Sequence, residues 1–161
     1  MINIERKEQT LMFIDARGGC GKTFLLNTVL AAVRLSEENA IAIASATTGI
    51  AAILLDLGGT MHSKLKIPID ISENSVLSIT VKSKTAKTIQ NAKLIIIDEG
   101  TMIDRLVLEC IDRSFQDIMN NDLPFGNKTI ILSGDFRQCL PVIPKAGKSE
   151  ILSRTIKTLF L

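Results

Sequence analysis

Short apolar runs closed by glycine, proline or acidic residues alternate along this chain with stretches whose apolar positions recur at helical spacing. That alternation predicts an α/β fold around a mostly parallel sheet, whose strands are buried on both faces and so read as near-continuous apolar runs. LMFID (11–15), AIAIAS (40–45), LIIID (94–98) and KTIILSGD (128–135) are the runs that predict strands. KTFLLNTVLAAVRL, from Lys22, places Phe24, Leu25, Val29, Ala32 and Val33 at helical spacing. IDRLVLECIDRSFQDIM puts Ile103, Val107, Ile111, Phe115 and Ile118 on one face, an amphipathic helix. GIAAILLDL predicts a short helix halted by Gly58 and Gly59, and SITVKSKTAKTIQNAK, from Ser78, a polar-faced one. A last helix is expected from Ser149. LKIPIDISENS around Pro68 and CLPVIPKAGK, broken by Pro141 and Pro144, read as loops, and DLPFGN is a turn signal.

The chain has 161 residues, 46% apolar and 22% charged, which suits one globular domain with a proper core. No repeat, low-complexity tract or linker divides it. No apolar run reaches the ~18–20 residues of a membrane span, and MINIERKEQT is too charged for a secretory signal. Cys20, Cys110 and Cys139 are scattered without metal-type spacing, so reduced thiols in an intracellular protein are expected. A net charge of +2 permits nucleic-acid binding without demanding it. With no Trp or Tyr, base stacking would fall to phenylalanines, His62 or arginine faces.

ARGGCGKT (16–23) lies between the first strand and a helix, the position of a phosphate-binding loop. Such loops aim consecutive backbone N–H groups and a helix N-terminus at the phosphates. Ala16 stands where the pattern G-x-x-x-x-G-K-[ST] has its first glycine, at the hinge leaving the strand, where one methyl is tolerated. Gly18, Gly19, Cys20, Gly21, Lys22, Thr23 and Phe24 are the candidate nucleotide-binding positions, Lys22 reaching the β- and γ-phosphates and Thr23 holding Mg²⁺. Cys20 has two readings: a thiol made redox-sensitive by the helix dipole and Lys22, or a small residue that fits.

LIIIDEG ends a strand in Asp98 and Glu99, where a phosphate-loop NTPase needs a carboxylate for Mg²⁺ and a base for the attacking water. LSGDFRQ places Gln138 after another strand, where its amide can bond a γ-phosphate and report its presence. Phe136 and Arg137 beside it could pass that report to a bound strand by stacking and charge. Lys22, Glu99 and Gln138 are therefore the candidate catalytic residues, with Thr23 and Asp98 for the metal.

With these motifs in view, the sequence resembles the first motor domain of the Pif-type (petite integration frequency) DNA helicases of superfamily 1B, most closely the versions at the end of Helitron transposon proteins. The resembling stretches are ARGGCGKTFLLNTVLA, ATTGIAAILLDLGGTMHSKLKIPID, LIIIDEGTMIDR, DIMNNDLPFGNKTIILSGDFRQCLPVIPK and SEIL. The resemblance implies a RecA-like P-loop NTPase fold, ATP and Mg²⁺ as cofactors, and 5′-to-3′ movement on single-stranded DNA. It makes Lys22 and Thr23 the phosphate and Mg²⁺ residues, Asp98 and Glu99 the metal carboxylate and catalytic base, and Gln138 the γ-phosphate sensor. It sets Thr47 and Thr48 in one strand-contacting motif and Thr60, His62 and Ser63 in the next, where hydroxyls and amides suit phosphate oxygens; Phe136 joins them as a DNA contact. His62 stands equally as a structural residue, and Lys82, Lys84, Lys87 and Lys93 read as a solvated face.

DEG stands where the family more often has DEA or DES, and Gly100 is small enough to be harmless. Gln9 does not convincingly match the family's adenine-reading glutamine. The resemblance also implies a second RecA-like domain, outside these residues, that supplies an arginine across the ATP site and closes on the nucleotide. Weak nucleotide binding, negligible ATPase and no unwinding are thus expected of these residues alone. It further implies roles in DNA repair, recombination or telomere maintenance, and residence in the nucleus or the mitochondrion. Two alternatives stand beside it: a small self-sufficient NTPase or nucleotide kinase, and a non-catalytic remnant, kept as a nucleotide- or DNA-binding module or not functional at all.

Overall fold

The computed structural model describes residues 11–138, 141–143 and 147–156; Gln9, Cys139 and Pro144 lie outside them. Five strands form one sheet: β1 (Leu11–Asp15), β2 (Ile41–Ala46), β3 (Gly59–Thr60), β4 (Ala92–Asp98) and β5 (Ile130–Gly134), in the order β1-β5-β4-β2-β3. Every pairing is parallel. Among the described residues, six α-helices accompany them: α1 (Lys22–Ser36), α2 (Gly49–Leu54), α3 (Met61–Leu65), α4 (Lys84–Asn91), α5 (Arg105–Met119) and α6 (Lys148–Ser153).

Side-chain alternation along the strands sorts the core into two layers. Ala42, Ala44, Ala46, Leu94, Ile96 and Ile131 face α1 and α2, packing on Leu26, Leu30 and Val33. The three alanines of β2 leave room for α1 to approach closely. Ile43, Ile95, Ile97, Ile130 and Leu132 face the other way onto α3, α4 and α5, where Ile111 and Phe115 are buried. Each such isoleucine or leucine contributes about 1.5–3 kcal/mol by leaving water.

β1, β2, β4 and β5 fall where the apolar runs place them, and α5 buries Val107, Ile111, Phe115 and Ile118 as expected. It starts only at Arg105, capped by Asp104 through the Leu106 N–H (3.0 Å), so Ile103 is buried just ahead of the helix. Two other helices are shorter than expected. α2 stops at Leu54, and Leu57 takes a left-handed conformation (φ 52°) before the glycines. α4 begins at Lys84 rather than Ser78, because Ile79, Thr80 and Val81 are consecutive β-branched residues that disfavour helix. Ser83 starts it, accepting from the Ala86 N–H (3.1 Å). The two-residue β3 and the short α3 both lie inside the GGTMHSKL phrase.

DLPFGN makes an unusual turn. Phe125, Gly126 and Asn127 are all left-handed, at φ 49°, 59° and 62°, and the Phe125 N–H donates to Asp112 Oδ1. The turn delivers Lys128 into the protein, where its ammonium donates to the Gln90 and Ala92 carbonyls at the end of α4 and burial pushes its pKa down. No helix among the described residues is long and apolar enough to cross a membrane.

Candidate nucleotide site

The strand order makes β1, β5 and β4 neighbours, so the loop after β1, the Asp98-Glu99 pair ending β4 and the loop after β5 open on one rim. The Ala16 N–H donates to the Gly134 carbonyl (3.0 Å), fastening the start of the phosphate loop to the tip of β5. Ala16 therefore serves through its backbone. Gly19 and Gly21 take φ 79° and 78°, conformations a side chain would strain, and α1 opens on Gly21 with no side-chain cap. An uncapped helix start behind a left-handed loop leaves N–H groups for an anion, which fits a triphosphate.

Lys22, the first residue of α1, reaches across to β4. Its Nζ lies 3.4 Å from Asp98 Oδ1 and 3.3 Å from Glu99 Oε1. Asp98 is buried, and its Oδ1 also accepts from Ser133 Oγ (2.6 Å) and the Glu99 N–H (2.8 Å). Among the described residues Oδ2 takes no hydrogen bond, which leaves one carboxylate oxygen for a cation. Glu99 is left-handed at φ 56°, ψ 36°, an uncommon conformation for a residue with a side chain. Thr23 is half-buried beside Lys22, whereas Phe24 points outward and is 79% exposed. Cys20 is an exposed free thiol.

The loop after β5 is built on Asp135. Its Oδ1 accepts from Arg137 Nε (2.7 Å) and the Arg137 N–H (3.0 Å), and its Oδ2 from Gln138 Nε2 (3.2 Å). Gln138 thereby lies over the phosphate loop: a Cβ on Gly18 would come 3.1 Å from its Nε2. Arg137 also reaches Asp15 at the end of β1 (3.4 Å), and the Phe136 ring stacks on Phe13 with centroids 4.6 Å apart. One face of Phe136 is thus already covered.

The Arg137 guanidinium, then its N–H, hold the Asp135 carboxyl down to about 2, against an ordinary value of 3.8. For an acid so depressed, the stabilising tie is complete above pH 3.8 and is lost as pH falls towards 2. The carbon resonance of the Asp135 carboxyl is expected to titrate with a midpoint near that lower value; an ordinary midpoint would show that the tie is not made.

The strand-contact candidates fall into two chemical kinds. Thr48 Oγ1 accepts from the Ala51 N–H (3.2 Å) at the start of α2, and Thr60 Oγ1 accepts from the Ser63 N–H (3.3 Å) at the start of α3. Both hydroxyls keep their hydrogens for another acceptor. His62 and Ser63 are exposed on α3. Thr47 differs: its hydroxyl donates inward to the Glu99 carbonyl (3.2 Å). Sequence reasoning missed Ser133, Asp135 and Asp15. A serine inside the apolar run IILSG is the signal that could have found the first.

The model of the PIF1-like helicase family matches residues 1–160. The chain belongs to the PIF1-like helicase family. It is 39% identical over 141 residues to uncharacterized protein 030L of Invertebrate iridescent virus 6, covering 84% of this chain and 26% of that protein. It is 32% identical over 150 residues to the ATP-dependent DNA helicase RRM3 of Saccharomyces cerevisiae, covering 90% and 20% respectively. The crystal structure of Pif1 helicase from Bacteroides in complex with ADP-AlF3 and ssDNA superposes with a TM-score of 0.76 at 34% identity, over 93% of this chain and 33% of that one. The fold is accordingly RecA-like, an α/β sheet flanked by helices. The chain spans 26% or less of these two curated relatives and 33% of the Bacteroides chain.

Proposed function

We propose that this chain is the first RecA-like motor domain of an ATP-dependent DNA helicase that moves on single-stranded DNA and works against a second RecA-like domain. The observation that carries the reading is the Lys22 ammonium set within 3.3–3.4 Å of both carboxylates at the β4 tip, under a loop that presses Gln138 onto Gly18. It is supported by the relatives named as ATP-dependent DNA helicases and by the structure bound to ADP-AlF3 and ssDNA.

Mg²⁺, held by Thr23 and Asp98, would neutralise part of the triphosphate charge. Lys22 leaves the two carboxylates and places its ammonium on phosphate oxygens. Ser133 and the Glu99 N–H keep Asp98 Oδ1 fixed while this happens. Glu99, released from Lys22, becomes the acceptor for the proton of a water molecule. Gln138 exchanges Asp135 for a phosphate oxygen as acceptor of its amide hydrogen. The loop carrying it is anchored on Phe13 through Phe136, so the change is delivered to β1. Hydroxyls of Thr48 and Thr60 hold strand phosphates without reading bases.

Titration with a fluorescent ATP analogue, with and without oligo-dT, tests the proposal. Magnesium-dependent binding that oligo-dT strengthens is the expected result. Tight binding indifferent to DNA would point to a self-sufficient NTPase or kinase, and no binding to a remnant. Turnover by these residues without a second domain is expected to be slow, since an arginine supplied across the site is worth ~10³–10⁵ in comparable phosphoryl-transfer sites.

A further inference from the structure

From the geometry at the tips of β2 and β4 we infer that Thr47 is a positioning residue for Glu99: it holds the carboxylate's backbone in its left-handed conformation. The inference rests on the reading of Glu99 as the proton acceptor, and its central test is independent of that reading.

Thr47 follows β2 directly, beyond the last register pair between Ala46 and Asp98. Its N–H donates to the Asp98 carbonyl (3.1 Å), carrying the ladder one residue past the strand. Its hydroxyl then donates to the Glu99 carbonyl (3.2 Å), with Met102 Sδ at 3.9 Å. The same carbonyl accepts from the Met102 N–H (3.1 Å), while the Glu99 N–H is bound to Asp98 Oδ1 and its side chain to Lys22. A left-handed residue persists where its surroundings over-determine it. Among the described residues, the hydrogen bond from Thr47 is the one on the Glu99 backbone that comes from outside β4 and the turn after it.

A hydroxyl has one hydrogen to give. Thr48 and Thr60 accept at their helix starts and keep theirs for an incoming phosphate, whereas Thr47 has spent its own on Glu99. Thr47 therefore ties the loop that opens α2 to the carboxylate at the nucleotide site. It acts on the backbone of Glu99 and touches no reacting atom.

Thr47→Val keeps the shape and removes the hydrogen; Thr47→Ser keeps the hydrogen. The direct measurement is the Glu99 backbone conformation, read by NMR from its amide-to-α-proton coupling and carbon shifts. The Val variant is expected to lose the positive-φ signature and the Ser variant to retain it. Single-turnover hydrolysis with the chain in excess is expected to fall on the order of tenfold or more in the Val variant, as misplacement of a catalytic group does, and to return with Ser. Affinities for the fluorescent ATP analogue and for oligo-dT stay level in both. A Val variant that keeps the Glu99 signature overturns the inference. So does one in which oligo-dT affinity drops while hydrolysis per bound nucleotide holds, which would make Thr47 a strand contact. If Glu99→Gln leaves hydrolysis unchanged, the proton-acceptor role fails; the backbone measurement still decides what Thr47 does.

Discussion

Lys22→Ala is expected to lose magnesium-triphosphate binding on the order of 10²-fold, and to lose stability only while magnesium is absent. The first effect follows from charge-assisted hydrogen bonds worth about 1.5–3 kcal/mol each, at least one of which the ammonium gives to phosphate. The second comes from the neighbours it leaves behind. Asp98 is buried, and Glu99 sits beside it with its carboxylate within reach of the same ammonium. Without Lys22 two adjacent carboxylates face each other with no cation between them, a like-charge arrangement that raises the energy of the folded state. A loss of about 1–2 kcal/mol lowers Tm by roughly 2–8 °C in a chain of this size. Added magnesium replaces the missing charge and restores the melting temperature without restoring nucleotide affinity. Calorimetry of the variant with and without the metal, beside the fluorescent titration, checks both halves. An unchanged Kd would remove Lys22 from the phosphate site.

Gly126→Ala carries the largest expected effect on stability. Gly126 is the middle of three consecutive left-handed residues, and a Cβ there would come 2.4 Å from the Phe115 carbonyl oxygen and 2.7 Å from Met119 Cγ. The first obstacle is the backbone of α5, which cannot move without disturbing the buried Phe115. Its neighbour Phe125 already bears a positive φ and is pinned by Asp112, so the turn has no slack to absorb a methyl. Overpacking against backbone, added to left-handed strain, costs about 3 kcal/mol or more. Thermal denaturation should show Tm lower by roughly 6–12 °C, with nucleotide affinity unchanged well below the transition. Asn127→Gly, which only relaxes a left-handed residue, is the control and should leave Tm nearly still.

Much of this architecture was legible because parallel strands are buried on both faces. Runs such as LIIID and IILSG admit no other placement once glycines and acidic residues close them. The candidate nucleotide site was legible for a related reason: a loop that must expose its backbone announces itself by glycine, and a carboxylate at a strand tip by its contrast with the apolar residues before it. Element lengths were less so. The polar stretch from Ser78 reads as helix until the crowding of Ile79, Thr80 and Val81 is weighed, and a strand of two residues has no period to detect. Partnerships between distant residues could not be read at all. Thr47 and Thr48 are adjacent and chemically identical, yet one hydroxyl serves Glu99 and the other the start of α2. Phe136, expected to stack on a bound strand, also has one face on Phe13. Such choices are made by the packing of strands far apart in sequence.

Because all five strands point the same way, the molecule has a working end and an idle end. The connection into β2, with Glu38 and Asn39 exposed, belongs to the idle end. A dye or surface tether attached there reports on the whole body while standing clear of the chemistry.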